Sequence, residues 1–285
     1  MLVPVDFSEI SLNALTHAAQ IAKHFDNDLV LLSILEDDFL SNIFSFSKND
    51  AKENLAKEAM LGRLAQKARE IESAYGIKCV TEVRSGKIYK TIIETAEEHG
   101  CDCIIMGTHG ASGAERIIGS NASRVISYST TPVIVVKTDK NPNAYKNIVF
   151  PLDLSAESKQ KVKWAIHLGK SYKSTIHVLT YKVGDEFLNN KLMANLKQIQ
   201  TLLDENGISH TETVLENDKD FARKTQEFAE TQLADLIMIM TQQEDKGIRE
   251  YIIETYAQQI VNDTGNIPVF CVNPNYDGFK SEFVI

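Results

Sequence analysis

The sequence predicts an α/β fold: two tandem open, mainly parallel five-stranded sheets with helices on both faces. Three observations lead there. Short apolar runs of strand length alternate with segments of helical period, the pattern of parallel strands joined by helical crossovers. Several runs are apolar throughout rather than alternating, as expected where both faces of a strand are covered. The order then repeats about halfway along, with Asp153 standing 147 residues after Asp6.

The first strand is Leu2-Val3-Pro4-Val5, ending at Asp6-Phe7-Ser8. Ser8 has the position of a helix N-cap, and Leu12, Leu15, Ala18, Ala19 and Ala22 recur behind it at helical spacing. Leu29 to Leu35 is the second strand. A helix from Ala51 to Tyr75 ends at Gly76, Ile77 to Arg84 is a strand, and Lys87 to His99 is a helix closed by Gly100. Asp102 to Met106 makes the fourth strand, Ala122 to Tyr128 a helix, and Pro132 to Lys137 the fifth strand.

Between that fourth strand and the next helix runs Gly107-Thr-His-Gly-Ala-Ser-Gly-Ala-Glu-Arg-Ile-Ile-Gly-Ser120. Glycines let a backbone approach a ligand without a Cβ in the way, and the free N–H groups of a helix start favour an anion. A glycine cluster after a strand is equally the mark of a tight turn. Its place strengthens the ligand reading: in such sheets ligands sit at the carboxyl ends of the strands. Asp6, Ile34 and the Gly107 loop all fall at such ends.

Pro4-Val5-Asp6-Phe7-Ser8, Ile105-Met106-Gly107-Thr108-His109-Gly110 and Gly119-Ser120 together resemble the ATP-binding branch of the universal stress protein family. The resemblance implies a Rossmann-like, adenine-nucleotide alpha-hydrolase-like sheet over residues 1–138. It implies that Pro4, Val5, Asp6 and Ile34 line the adenosine end of a pocket, and that Met106, Gly107, His109 and Gly110 line ribose and phosphates. Gly119, Ser120 and the backbone of Asn121 would hold the phosphates of ATP, ADP or AMP, with Mg2+ as a companion ion. Eight residues, Ala111 to Ile118, separate Gly110 from Gly119, one fewer than the family pattern. Gly113 offers a place to absorb the difference. Pairing through the fifth strand, usual in the family, is expected here inside one chain, between Pro132–Lys137 and Ile267–Val272. A homodimer of tandem chains stays open.

The repeat assigns residues 1–140 and 147–273 to two similar domains, joined by a polar linker at 141–146 and followed by a tail at 274–285. In the second copy a helix is expected from Ser155 to Tyr172, with strands at Thr175 to Tyr181, Asp235 to Met240 and Ile267 to Val272. Its phosphate loop is gone. Met240 falls where Gly107 stood, Thr241 to Gly247 carries Glu244 and Asp245, and Glu254-Thr255 replace Gly119-Ser120. Carboxylates there oppose a polyphosphate.

A net charge of −9 disfavours nucleic acid and anionic membranes as partners. No apolar stretch reaches the roughly 18 residues of a membrane span, and Met1 leads directly into a strand, so a cytoplasmic location is expected. His99, Cys101 and Cys103 suggest a metal cluster, but buried structural cysteine is the better reading. Phe39, Leu40, Ile43, Phe44 and Phe46 form a lid, a partner surface or plain packing, and the aromatic tail is expected to dock across the domain interface. Three functions remain: a nucleotide-binding stress or signalling protein, a nucleotide-free scaffold, and a slow ATP hydrolase or phosphotransferase. For the last, Glu115 and Asp6 are candidate magnesium ligands, and Arg116 and Arg124 candidate cations. No catalytic residue is assigned.

Overall fold

The computed structural model describes residues 1–36, 50–108, 119–137, 144–155, 157–241, 256–263 and 265–274. The first half runs β1 (Leu2–Pro4), α1 (Glu9–Phe25), β2 (Leu29–Leu35), α2 (Asp50–Tyr75), β3 (Cys79–Ser85), α3 (Ile88–Glu98), β4 (Ile104–Gly107), α4 (Ser120–Tyr128) and β5 (Val133–Val136). The second runs β6 (Asn147–Pro151), a 3₁₀ turn (Glu157–Lys159), α5 (Val162–Tyr172), β7 (Thr175–Tyr181), α6 (Glu186–Glu205), β8 (Ser209–Leu215), α7 (Phe221–Thr231), β9 (Leu236–Met240), α8 (Tyr256–Asp263) and β10 (Val269–Val272).

All the strands among the described residues join one ten-stranded sheet, in the order β3-β2-β1-β4-β5-β10-β9-β6-β7-β8. Neighbours within each half are parallel. At the centre β5 meets β10 antiparallel, with Ile134 opposite Phe270. Two open sheets thereby become one: the β5 and β10 edges satisfy each other, and β3 and β8 stay as the outer edges. Apolar residues of α1, α2, α5 and α6 pack on one face, and those of α3, α4, α7 and α8 on the other. That two-sided cover explains why Leu29–Leu35 and Thr175–Tyr181 are almost wholly buried.

The structure corrects the helix expected from Ser155 to Tyr172. Its first turn is 3₁₀, at Glu157–Lys159, and regular α-helix starts only at Val162. The third strand of the second half, Ser209–Leu215, went unrecognised because this edge strand is polar along much of its length. Of the expected linker 141–146, residues 144–146 are described, and Tyr145 is buried at 2% exposure.

Tyr145 belongs to the seam between the halves. Its hydroxyl meets His17 Nε2 at 2.6 Å, and its carbonyl accepts from Ser174 Oγ at 2.5 Å. Along α1 and α5, Phe25 stacks on His167 and His24 on Tyr172, with centroids 5.3 and 4.0 Å apart. These aromatic contacts join the helices above the β5–β10 pair.

Candidate functional site

Nine of the residues singled out in the sequence line one cleft of about 370 Å³: Pro4, Val5, Asp6, Ile34, Met106, Gly107, Gly119, Ser120 and Asn121. They come from the carboxyl ends of β1, β2 and β4 and the start of α4. His109 and Gly110 lie outside the described residues, as do Gly113, Glu115 and Arg116. Leu32, Glu36, Ile88, Ile92 and Thr108 also line the cleft and were not expected. Ile88 and Ile92 could have been found from the apolar spacing of the helix after the third strand.

The frame of the cleft is built from short local bonds. Asp6 Oδ1 accepts from the Ser8 N–H at 2.9 Å and from its hydroxyl at 2.6 Å. Ser8 Oγ in turn accepts from the Ser11 N–H at 3.2 Å, which caps α1 as the sequence predicts. Between them Phe7 is held in the left-handed region, at φ 65°, under the Arg63 guanidinium of α2, 4.0 Å from its ring centroid. A non-glycine residue is rarely found there, and such strain gathers at functional sites. Ser33 Oγ donates to Val5 O at 2.6 Å, tying β2 to the end of β1.

Across the cleft, Thr108 O accepts from the Gly119 N–H at 2.8 Å, so the two ends of segment 109–118 are held together. Gly119 is the N-cap of α4, and the first helical bond runs from the Ser123 N–H to Gly119 O at 3.0 Å. The N–H groups of Ser120, Asn121 and Ala122 therefore precede the helical ladder, at the wall of the cleft, where a helix start favours negative charge.

Gly107 also meets a packing need. A Cβ there would fall 2.5 Å from Ile10 Cγ2 and 3.3 Å from the Ile10 backbone. The glycine lets the first turn of α1 lie against the end of β4. Gly107→Ala is expected to cost about 1–3 kcal/mol through overpacking. Denaturant unfolding of Gly107→Ala, Ile10→Ala and the double variant checks this. Strict additivity of the two losses would exclude the contact as the cause.

The second half repeats the frame with larger side chains at two of the corresponding positions. Asp153 Oδ1 accepts from the Ser155 N–H at 2.9 Å and its hydroxyl at 2.6 Å. The Leu152 N–H donates to Leu179 O at 2.8 Å, as the Val5 N–H does to Leu32 O. Thr180 Oγ1 donates to Leu152 O at 2.9 Å, answering Ser33. The Asp-X-Ser turn is thus a feature of the fold in both halves, and by itself marks no ligand.

On that register Tyr181 takes the place of Ile34, and Phe221 opens α7 as Ile88 opens α3. The two rings meet edge to face at 4.8 Å and are 7% and 8% exposed. Met240 pairs with Val272 as Gly107 pairs with Val136. The 3₁₀ turn Glu157–Lys159 stands where α1 has Ile10, consistent with a side chain at β9 that leaves no room for the regular first turn. Glu244, Asp245, Glu254 and Thr255 lie outside the described residues.

The remaining candidates separate. His99 Nε2 faces Glu82 at 2.9 Å rather than the cysteines. Cys103 is buried, and burial pushes its thiol up to about 12. Arg124 lies over the Tyr89 ring, 5.3 Å from its centroid. Phe39, Leu40, Ile43, Phe44, Phe46 and tail residues 275–285 lie outside the described residues. No helix among the described residues is long and apolar enough to cross a membrane.

The sequence model of the universal stress protein family matches residues 1–137 and 144–273. Universal stress protein MJ0531 of Methanocaldococcus jannaschii is 35% identical over 141 residues, covering 49% of this chain and 82% of its own. Universal stress protein MJ0577 of the same organism is 30% identical over 153 residues, covering 48% and 93%. In structure, a universal stress protein from Archaeoglobus fulgidus superposes with a TM-score of 0.77 at 20% identity, over 96% of this chain and 98% of that one. The last likeness is one of fold.

Proposed function

Because this chain belongs to the universal stress protein family, matched in both halves, we propose that it binds one adenine nucleotide, in its first half alone. The observation that carries the reading is the meeting of three separated segments on one cleft; the restriction to the first half is supported by the packed rings of Tyr181 and Phe221 at the corresponding positions of the second.

The residues present fit the group. A volume of about 370 Å³ lies in the range of small-molecule sites. Ile34, Ile88 and Ile92 offer apolar walls for a base, and Asp6 stands at the end of β1 for ribose or base. The start of α4 presents Ser120, Asn121 and Ala122 N–H groups to phosphates. Asp6 and Glu36 are the titratable side chains among the described lining residues. With two carboxylates on the wall, a divalent cation would offset the charge of a polyphosphate. These residues bind and orient; no group is placed as a base or nucleophile, and the proposed role is to sense the nucleotide as ATP, ADP or AMP and signal its presence to a partner.

The test is to denature freshly purified protein, identify the released small molecules by liquid chromatography–mass spectrometry, and titrate Mg–ATP by calorimetry. One adenine nucleotide per chain is expected. Two per chain would overturn the restriction to the first half, and none by either method would overturn the reading and leave a scaffold.

A further inference from the structure

A second cavity, of about 450 Å³, opens at the seam between the halves. It lies away from the proposed nucleotide cleft. Met1, Asp102 and Cys103 border it at the amino ends of β1 and β4, whereas the cleft sits at their carboxyl ends. Both halves build it: Ile21 and Phe25 come from α1, Ile134 from β5, Trp164 and Leu168 from α5, Phe270 from β10. The floor is buried and apolar, with Ile134 5%, Leu168 6% and Phe270 2% exposed. Flat walls stand on it. Trp164 meets Phe270 edge to face at 5.2 Å, and Phe25 stacks on His167 at 5.3 Å. Exposed Asp102 and His167 lie at the rim.

We propose that this cavity binds a small planar aromatic molecule without net charge. Its volume suits a ligand of two or three fused or linked rings. The contiguous rings of Phe25, His167, Trp164 and Phe270 favour a flat ring laid against them, in offset or edge-to-face contact. The floor is buried and apolar, so a charged group would lose its hydration there, and the ligand is neutral. Since α1, β5, α5 and β10 all contribute, the ligand spans the seam and holds the halves together. The proposal is independent of the nucleotide reading and uses none of its residues.

Trp164 is the single tryptophan of the chain, which makes its emission a local reporter. The experiment titrates full-length protein with N-phenyl-1-naphthylamine, an uncharged two-part aromatic dye, and reads both Trp164 quenching by energy transfer and dye emission. Saturation at one dye per chain is expected. Ile21→Phe and Leu168→Phe, which fill the cavity from opposite walls, should each weaken dye binding at least about 10-fold while Mg–ATP titrations stay as in the parent. The sulfonated dye 8-anilino-1-naphthalenesulfonate should bind at least about 10-fold more weakly than the neutral one. Non-saturable emission, or unchanged affinity in both filled variants, would overturn the site. Binding that emerges only after removal of residues 275–285 would also overturn it, assigning the cavity to the chain's own tail.

Discussion

Between pH 7 and pH 10.5, the stability of the parent chain is expected to rise by about 3 kcal/mol relative to a Lys161→Met variant. Lys161 is 2% exposed. By the 147-residue repeat it stands at the place of Ala14. Its ammonium donates to Pro151 O at 2.6 Å and Ser158 Oγ at 3.1 Å, and lies 4.5 Å from the centroid of the Phe150 ring. Burial lowers its pKa from 10.5 to about 8, against a smaller pull upward from Asp153. Below pH 8 both folded and unfolded chains carry the charge, and folding bears the full cost of desolvating it. Between 8 and 10.5 the unfolded chain binds more protons, so stability rises with pH, and above 10.5 the cost is gone. Buried Cys103, Cys271 and Tyr145 have raised pKa values and work in the opposite sense above about pH 9. They are present in both proteins and cancel in the difference. Denaturant unfolding at pH 7, 9 and 10.5 reads the effect; a difference that does not change with pH would sink it.

Importing the second half's side chains into the first should abolish nucleotide binding. In an Ile34→Tyr, Ile88→Phe double variant, affinity for Mg–ATP by calorimetry is expected to fall at least about 100-fold, or about 2.7 kcal/mol. The parent geometry supplies the reason: Tyr181 and Phe221 already form a closed edge-to-face pair at 4.8 Å on the same framework. The same framework should also keep the variant folded, which a melting temperature near that of the parent checks. Unchanged affinity in a folded double variant would mean that the base does not lie between Ile34 and Ile88. The reverse exchange, Tyr181→Ile with Phe221→Ile, is not expected to create a second site, because Met240 remains where Gly107 stands in the first half.

Much of this was readable from residue order. A continuous apolar run located β2, and the internal repeat located β7 to its observed ends at Thr175 and Tyr181. Ser8 marked the start of α1 because a short hydroxyl side chain there satisfies a helix N–H. Three segments separated by about 100 residues could be brought to one cleft because parallel strands share a carboxyl edge. What stayed hidden depends on contacts across elements. Ser155 follows Asp153 as Ser8 follows Asp6, so the sequence promised the same helix; Met240 in place of Gly107 was legible, but its bearing on that turn was not. The filling of the second cleft required knowing that Tyr181 and Phe221 share a register position with Ile34 and Ile88. Lys161 reads as an ordinary surface lysine, and Tyr145 as part of a polar linker. Gly107 was legible as special, though the sequence pointed to a ligand and the structure places Ile10 against it.

The covalent joining of β5 to β10 within one chain has a consequence for heredity. When two identical subunits meet about a two-fold axis, every substitution is made twice, on both sides of the contact. A gene that encodes both sides can change either one alone. The seam records this: His17 meets Tyr145, whereas Trp164, its counterpart 147 residues on, meets Phe270. The positions matching Ile34 and Ile88 record it again. One copy carries tyrosine and phenylalanine where its twin carries isoleucine, a difference that mutation in a symmetric homodimer cannot write into its sequence.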